Sequence, residues 1–340
     1  MAYRIQPGET LQAAVHRIAG EQSDKALRDL AGEREEDVES AVHDARKRCK
    51  KQRGLLRLVR PIIGDLYTSG NRAFRDAARR LGPYRDAHAL LETFDRLGAV
   101  APGRASDREP MAAVRCGLAA DAERASAALR KLEDNRPDKR KDNRNDERED
   151  DLEDDLERAA HGIETGVDRA RRVRIDTSGE ASDGLAIRAG LKKTYKRGRK
   201  ARRKSADSGS PEDFHEWRKR CKYTWYHLRL VHHGAPWILG PLADGFHALS
   251  NTLGDAHDLH VLSEGLAADP ERYGGPASID RVLVLAGGVR RRLEHAALRG
   301  GATLYAEPPD RFADRIVRYW DAFRTRGVEP PLPELGDSID

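Results

Sequence analysis

The sequence predicts an all-α protein made of two similar halves, and three observations carry that prediction. The stretch Val42 to Val59, VHDARKRCKKQRGLLRLV, returns without a gap at Phe214 to Val231 as FHEWRKRCKYTWYHLRLV. The same offset carries Phe74, Leu81-Gly82, Asp86, His88 and Leu90 onto Phe246, Leu253-Gly254, Asp258, His260 and Leu262, so one long unit is duplicated rather than a short one arrayed. Aromatic residues are only 6% of the chain, Ala, Leu, Arg, Glu and Asp dominate, and few segments alternate with period 2, which leaves helix as the default.

The elements follow in order. Pro7 to Thr10 is a turn into a helix from Leu11 to Leu30, with Leu11, Val15, Ile18, Ala26, Leu27 and Leu30 on one side and Gly32 closing it. The second helix starts within Glu33 to Val38 and runs to Arg60, where Pro61 stops it; Gly64 to Asn71 is the connection, and Asn71 caps the next helix. That helix ends at Leu81-Gly82, and Pro83 opens another to Leu97. Ala99 to Pro110 reads as a Pro/Gly linker before a helix from Met111 to Leu132. Arg136 to Asp155, RPDKRKDNRNDEREDDLEDD, has almost nothing to bury and reads as a solvated linker or frayed helix.

Leu156 to Val173 and Leu185 to Ser205 are helical, and Ser210-Pro211-Glu212-Asp213 has the N-cap, N1 proline and first-turn acids of a helix start. Pro236 and Pro241 break the second copy of the repeated helix. Leu242 to Leu253 forms the next, ended by Gly254, and Asp255 to Leu266 another. Ser278 to Ala297 is a helix weakened at Gly287-Gly288, and Pro309 to Arg324 is amphipathic, with Phe312, Ile316, Tyr319, Trp320 and Phe323 inward. The domain boundaries are then residues 1–135 for the first half, 136–155 for the linker, 156–326 for the second half and 327–340 for a loose tail.

On a helix at about 100° per residue, His43, Arg46, Lys47, Lys50 and Arg57 share one arc, while Val42, Ala45, Cys49, Leu56 and Val59 face the other way. The repeat transfers the cationic stripe to His215, Arg218, Lys219, Lys222 and Arg229, and the apolar face to Phe214, Trp217, Cys221, Leu228 and Val231. Each stripe runs for roughly 20 Å, longer than one small phosphate needs. Lys193, Arg197 and Lys200 add a third cationic face at i, i+4 and i+7. With 62 Lys and Arg against 57 Asp and Glu the net charge is only +5, so what matters is where the cations sit.

Rows of Arg and Lys suit a polyanion, and an anion beside His43 or His215 would raise the imidazole pKa and strengthen binding as pH falls through about 6.5. The three cysteines have no metal-ligand spacing, and Asp86/His88 and Asp258/His260 lie i, i+2, which is wrong for one face of a helix. There is no Walker loop, dinucleotide fingerprint, HExxH or GxSxG, and no carboxylate cluster suited to magnesium-assisted phosphoryl transfer. With no apolar run of about 18 residues and no leader pattern in Met1 to Gly20, the expectation is a soluble cytoplasmic protein.

HDARKRCK and HEWRKRCKYTWYHLRL, LGPYRDAHALL and LGDAHDLHVL, the basic LKKTYKRGRKA helix and LYAEPPDRFADRIVRYW together resemble the CHAD proteins, the histidine-containing α-helical domains associated with inorganic polyphosphate. The resemblance covers nearly the whole chain. It implies two four-helix-bundle halves related by a pseudo-twofold, with a basic channel between them that binds polyphosphate. By motif position it carries over to His43, Arg46, Lys50 and Arg53, and to His215, Arg218 and Lys222. Trp225 stands at the counterpart of Arg53, and His257 at that of Arg85, so the halves supply unequal charge. The expectation is a polyphosphate-binding adaptor or granule-associated module with no cofactor and no catalysis of its own. A phosphohydrolase or phosphotransferase using His43 or His215 is the first alternative. A nucleic-acid-binding protein is the second, disfavoured because aromatics for base stacking are scarce on the stripes.

Overall fold

A computed structural model describes residues 3–33, 38–100, 108–134, 147–175 and 183–327, with side chains described for all of these except 83–85, 128–134, 147–153 and 326. Among the described residues there are eleven α-helices and no strand: α1 (Leu11–Ala31), α2 (Val38–Ile63), α3 (Asp65–Arg80), α4 (Pro83–Val100), α5 (Arg108–Asp134), α6 (Glu147–Arg171), α7 (Asp183–Ser208), α8 (Pro211–Leu230), α9 (Pro236–Ala268), α10 (Pro276–Leu304) and α11 (Pro309–Arg326). No described helix is long and apolar enough to cross a membrane.

The apolar faces read from the repeat are the core. Val42, Ala45, Cys49, Leu56 and Val59 of α2, and Phe214, Trp217, Cys221, Leu228 and Val231 of α8, are all buried. Burial pushes the Cys49 and Cys221 thiols up to about 12, so both are inert packing groups. The helices α1, α2, α3 and α6 pack in a ring, and α7, α8, α9 and α11 form a second group. The packing crosses the boundary drawn at residues 155/156: α6 lies on α1 and α3, because Ala159, Ile163, Val167 and Ala170 need the same core as Phe74 and Ala77. A separate apolar cluster joins α4 and α5 to α9 and α10 through Phe94, Leu97, Leu118, Leu259, Leu262 and Val282.

Several helix ends differ from expectation. Pro61 lies inside α2, where it costs only a final-turn hydrogen bond, and Gly64, at φ +48°, is the whole connection to α3. Asn71 is therefore inside α3 rather than capping it. Pro241 and Gly254 both lie within an unbroken α9, and Gly287-Gly288 within an unbroken α10. Gly82, by contrast, does end a helix. Pro83 opens α4, whereas Asp255 continues α9; Pro61 and Pro241, inside their helices, show that a proline alone does not decide the break. Part of the charged insert is helical, since α6 begins at Glu147; residues 101–107 of the Pro/Gly linker, 135–146 of the insert and 328–340 of the tail lie outside the described residues.

Two close approaches place the charged helices. Gly54 of α2 meets the ring of Tyr226 on α8, where a Cβ would sit 2.9 Å from Cδ2. Gly190 of α7 lies so near α2 that a Cβ would collide with the Leu58 carbonyl oxygen, an atom that cannot swing aside. Gly190→Ala is therefore expected to destabilise by about 3 kcal/mol, measured as a lowered urea midpoint with unchanged slope. A loss below about 0.5 kcal/mol would mean that the α2–α7 contact is not held this tightly.

Candidate polyanion-binding site

The crossing of α2 and α8 brings the two cationic stripes together. Burial holds His227 down to about 3, so it is neutral, and its Nε2–H donates to the Gly54 carbonyl at 3.1 Å. The contact point itself thus carries no charge. Around it, Lys50 is exposed yet ringed by protein, and that environment, with Arg46, Arg218, Lys222 and Arg53 nearby, holds its pKa down to about 8. Lys222 is lowered to about 8 by partial burial and by Arg218, Arg229 and Lys47. Lys51 is also lowered to about 8, by the same desolvation and by Arg229, Arg48 and Lys47.

A second cluster joins α2 and α8 to α7. Arg57, Arg60, Lys193, Thr194, Arg197 and Arg220 line one small cavity. Desolvation followed by Arg57 and Arg60 lowers Arg197, and desolvation followed by Arg60 and Arg197 lowers Lys193. Lys219 is lowered by partial burial and by Arg53 and Arg57. Arg220, which pairs with Glu216, is lowered to about 10 by its burial and then by Arg197 and Arg57.

Several cations are held in place by the fold. The Arg57 guanidinium lies 4.0 Å from the Tyr223 ring centroid and 5.6 Å from that of Tyr67, and Arg60 lies 4.5 Å from the latter. Asn71 Oδ1 accepts from Arg53 Nε at 3.2 Å and from Arg57 Nη2 at 3.4 Å. On the other side Lys222 lies 4.4 Å, and Arg229 5.1 Å, from the Trp225 ring, which itself stacks on His247 at 4.2 Å. The aromatic at the counterpart of Arg53 therefore gathers cations instead of adding one.

Other residues singled out by the sequence have further duties. Arg46 Nη1 donates to the carbonyls of Leu81 and Gly82, at 3.0 and 2.8 Å, satisfying the end of α3. Its counterpart Arg218 faces the unbroken α9 at Gly254, and its buried Nε has no hydrogen-bond partner. Lys47 and Lys219 pair with Asp44 and Glu216 at 3.4 and 2.5 Å. His43 and Lys200 are exposed, and neither is among the charges that shift the clustered cations. The side chain of Arg85 lies outside the described residues. Lys51, Arg60, Tyr67, Asn71, Thr194 and Arg220 were not among the sequence candidates, although Arg220 lies within the repeated RKRCK and Arg60 follows Arg53 and Arg57 down α2.

His215 and His257 lie with ring centroids 3.9 Å apart, and the Nδ1 of each is buried without a hydrogen-bond partner. Burial, then His257, Lys219 and Arg218, hold His215 down to about 3; burial, then Arg218, hold His257 down to about 4. In the free protein both rings are therefore neutral at pH 6.5. Among the described residues no group of three His, Cys, Asp or Glu side chains is arranged to hold a metal ion.

A protein-family model described as CHAD domain matches residues 17–267 of the chain. No curated protein matches it.

In the free protein the imidazole resonances of His215 and His257 should stay at their neutral positions from pH 8 down to 5, followed by two-dimensional NMR with His→Gln variants for assignment. A midpoint near 6.5 for either ring would show that water and counter-ions reach the pair.

Proposed function

The chain belongs to the CHAD domain family, and from that premise we propose that it binds inorganic polyphosphate along a basic channel floored by α2 and α8 and flanked by α7. The observation that carries this reading is the gathering of Lys50, Lys222, Lys51, Arg57, Arg197 and Arg220 on three adjoining helices, where burial first and neighbouring cations second hold four of them at reduced pKa values of about 8 to 10. Folding alone gives no reason to assemble such a cluster, since like charges at this spacing repel. An extended anion with a charge on every unit would relieve the repulsion at several points at once.

Arg57, clamped between two tyrosines and Asn71, offers a guanidinium fork already oriented for phosphate oxygens. Lys50 and Lys222 act as point charges in the middle. His215 and His257 are neutral donors or acceptors that gain a proton only if phosphate oxygens close on them. The module does no chemistry of its own: the carboxylates beside the cations, Asp44 and Glu216, are engaged in ion pairs, so neither is poised as a general base. Such a module would serve as an adaptor that brings its chain to polyphosphate or polyphosphate granules.

Calorimetric titration with long-chain polyphosphate at near-physiological salt tests this, with Lys50→Ala/Lys222→Ala as the variant and single-stranded DNA as the competitor. Wild type is expected to bind, the variant to bind at least roughly tenfold more weakly, DNA to compete poorly and no phosphate to be released. Equal affinity for DNA would favour a general polyanion or nucleic-acid binder, and phosphate release abolished by His215→Ala would favour an enzyme.

The lowered lysines fix the sign of the pH dependence. Above pH 8 free Lys50, Lys51 and Lys222 lose their protons, and the polyanion must restore them, so affinity falls as pH rises through about 8, with net proton uptake. The same lysines titrate near 10.5 when unfolded, so their contribution to apo stability rises with pH between about 8 and 10.5. Titrations at pH 8.5 in two buffers of different ionisation enthalpy measure the uptake; none, or proton release, would show that these lysines do not meet the ligand.

A further inference from the structure

The basic surface does not stop at the three-helix cavity. On α7 the residues Ile187, Leu191, Thr194, Tyr195 and Gly198 are buried, which turns Lys193, Lys196, Arg197, Lys200 and Arg203 outward, all exposed. At about 100° per residue these five fall within an arc of roughly 120°, and they climb about 15 Å along the helix. The row starts at Lys193 and Arg197, which line the cavity with Arg57, Arg60 and Arg220, and continues away from it. Among the described residues no ion pair opposes any of the five. The neighbouring cations that do have acids, Lys192 with Asp310 and Lys204 with Asp213, lie on either side of the row in sequence.

An ordinary exposed helix interleaves acids with such a row, because like charges at i,i+3 and i,i+4 destabilise it. Here there is none between Asp183 and Asp207. The helix is instead kept by its buried face, where Tyr195 stacks on Phe312 at 3.9 Å and donates its hydroxyl to the Leu304 carbonyl.

We propose that α7 is a second, outer segment of the anion path, which takes the part of a long phosphate chain that emerges from the α2–α8 channel and so makes the protein selective for chains longer than the channel. The inference rests on the polyphosphate reading of the channel. Lys196, Lys200 and Arg203 add charge neutralisation only when the chain is long enough to reach them.

Affinity alone does not test this, because a longer chain also offers more equivalent binding registers. Extra registers raise the association constant without changing how many cations are neutralised, whereas an outer segment steepens its salt dependence. The experiment titrates polyphosphate of two defined lengths, one just filling the channel and one somewhat longer, over a range of salt, into wild type and Lys196→Ala/Lys200→Ala/Arg203→Ala. Circular dichroism and thermal unfolding check that the variant is folded.

For wild type the plot of log affinity against log salt should be steeper for the longer chain by roughly 2, at about 0.7 per phosphate neutralised. In the variant the two slopes should converge, and the preference for the longer chain should fall roughly tenfold. Equal slopes for both lengths in wild type, or an undiminished difference in the variant, overturn the outer segment while leaving the channel reading intact. Binding of neither length overturns both.

Discussion

Everything else in the structure depends on holding two helices together by faces that repel. The crossing succeeds because its contact point is neutral: a glycine, a tyrosine ring and an imidazole kept uncharged by burial occupy the place where side chains of α2 and α8 touch. The cations begin one turn away on either side. The attraction comes from behind, where Cys49, Leu56 and Val59 on one helix and Trp217, Cys221, Leu228 and Val231 on the other are driven into apolar cores. Burial first and the remaining repulsion second leave lysines whose protons are held less firmly than in free solution.

That arrangement explains why the clustered cations lean on aromatic and amide groups rather than on carboxylates. An acid beside Arg57 would steady it, but would also cancel the local positive field. Tyr67, Tyr223 and Asn71 steady it without adding charge, so the guanidinium is ordered by the fold itself. Where acids do appear, at Asp44 and Glu216, they pair with Lys47 and Arg48, or Lys219 and Arg220. The innermost of these contacts, Arg48 with Asp29 at 2.7 Å, ties α2 to α1.

The helical class, the core faces of α2 and α8 and the family were legible in the sequence because each rests on local periodicity or on motifs kept in an ungapped repeat. Less legible was anything decided by a partner element. That Pro61 would lie inside α2 while Gly254 would not end α9 depends on neighbouring residues and on the packing of long helices, not on proline or glycine alone. The pairing of Lys47 and Lys219 was within reach, since Asp44 and Glu216 lie three residues before them. The lowered pKa of His215 was not, because it comes first from burial and then from His257, a residue far along the chain whose ring lies 3.9 Å away. Nor could Lys193 be placed beside Arg60 without knowing that Gly190 lets α7 rest on the backbone of α2.

The repeat also shows that matching positions need not do matching work. Arg46 and Arg218 are the same residue in the two copies, yet Arg46 is spent on the carbonyls of Leu81 and Gly82, where α3 ends and α4 starts at Pro83. Arg218 meets a helix that continues, so it finds no free carbonyls and keeps an unpartnered buried Nε. Leaving such a donor unsatisfied is costly. Because α9 continues where α3 ends, two copies of one motif come to hold their arginines against different surroundings.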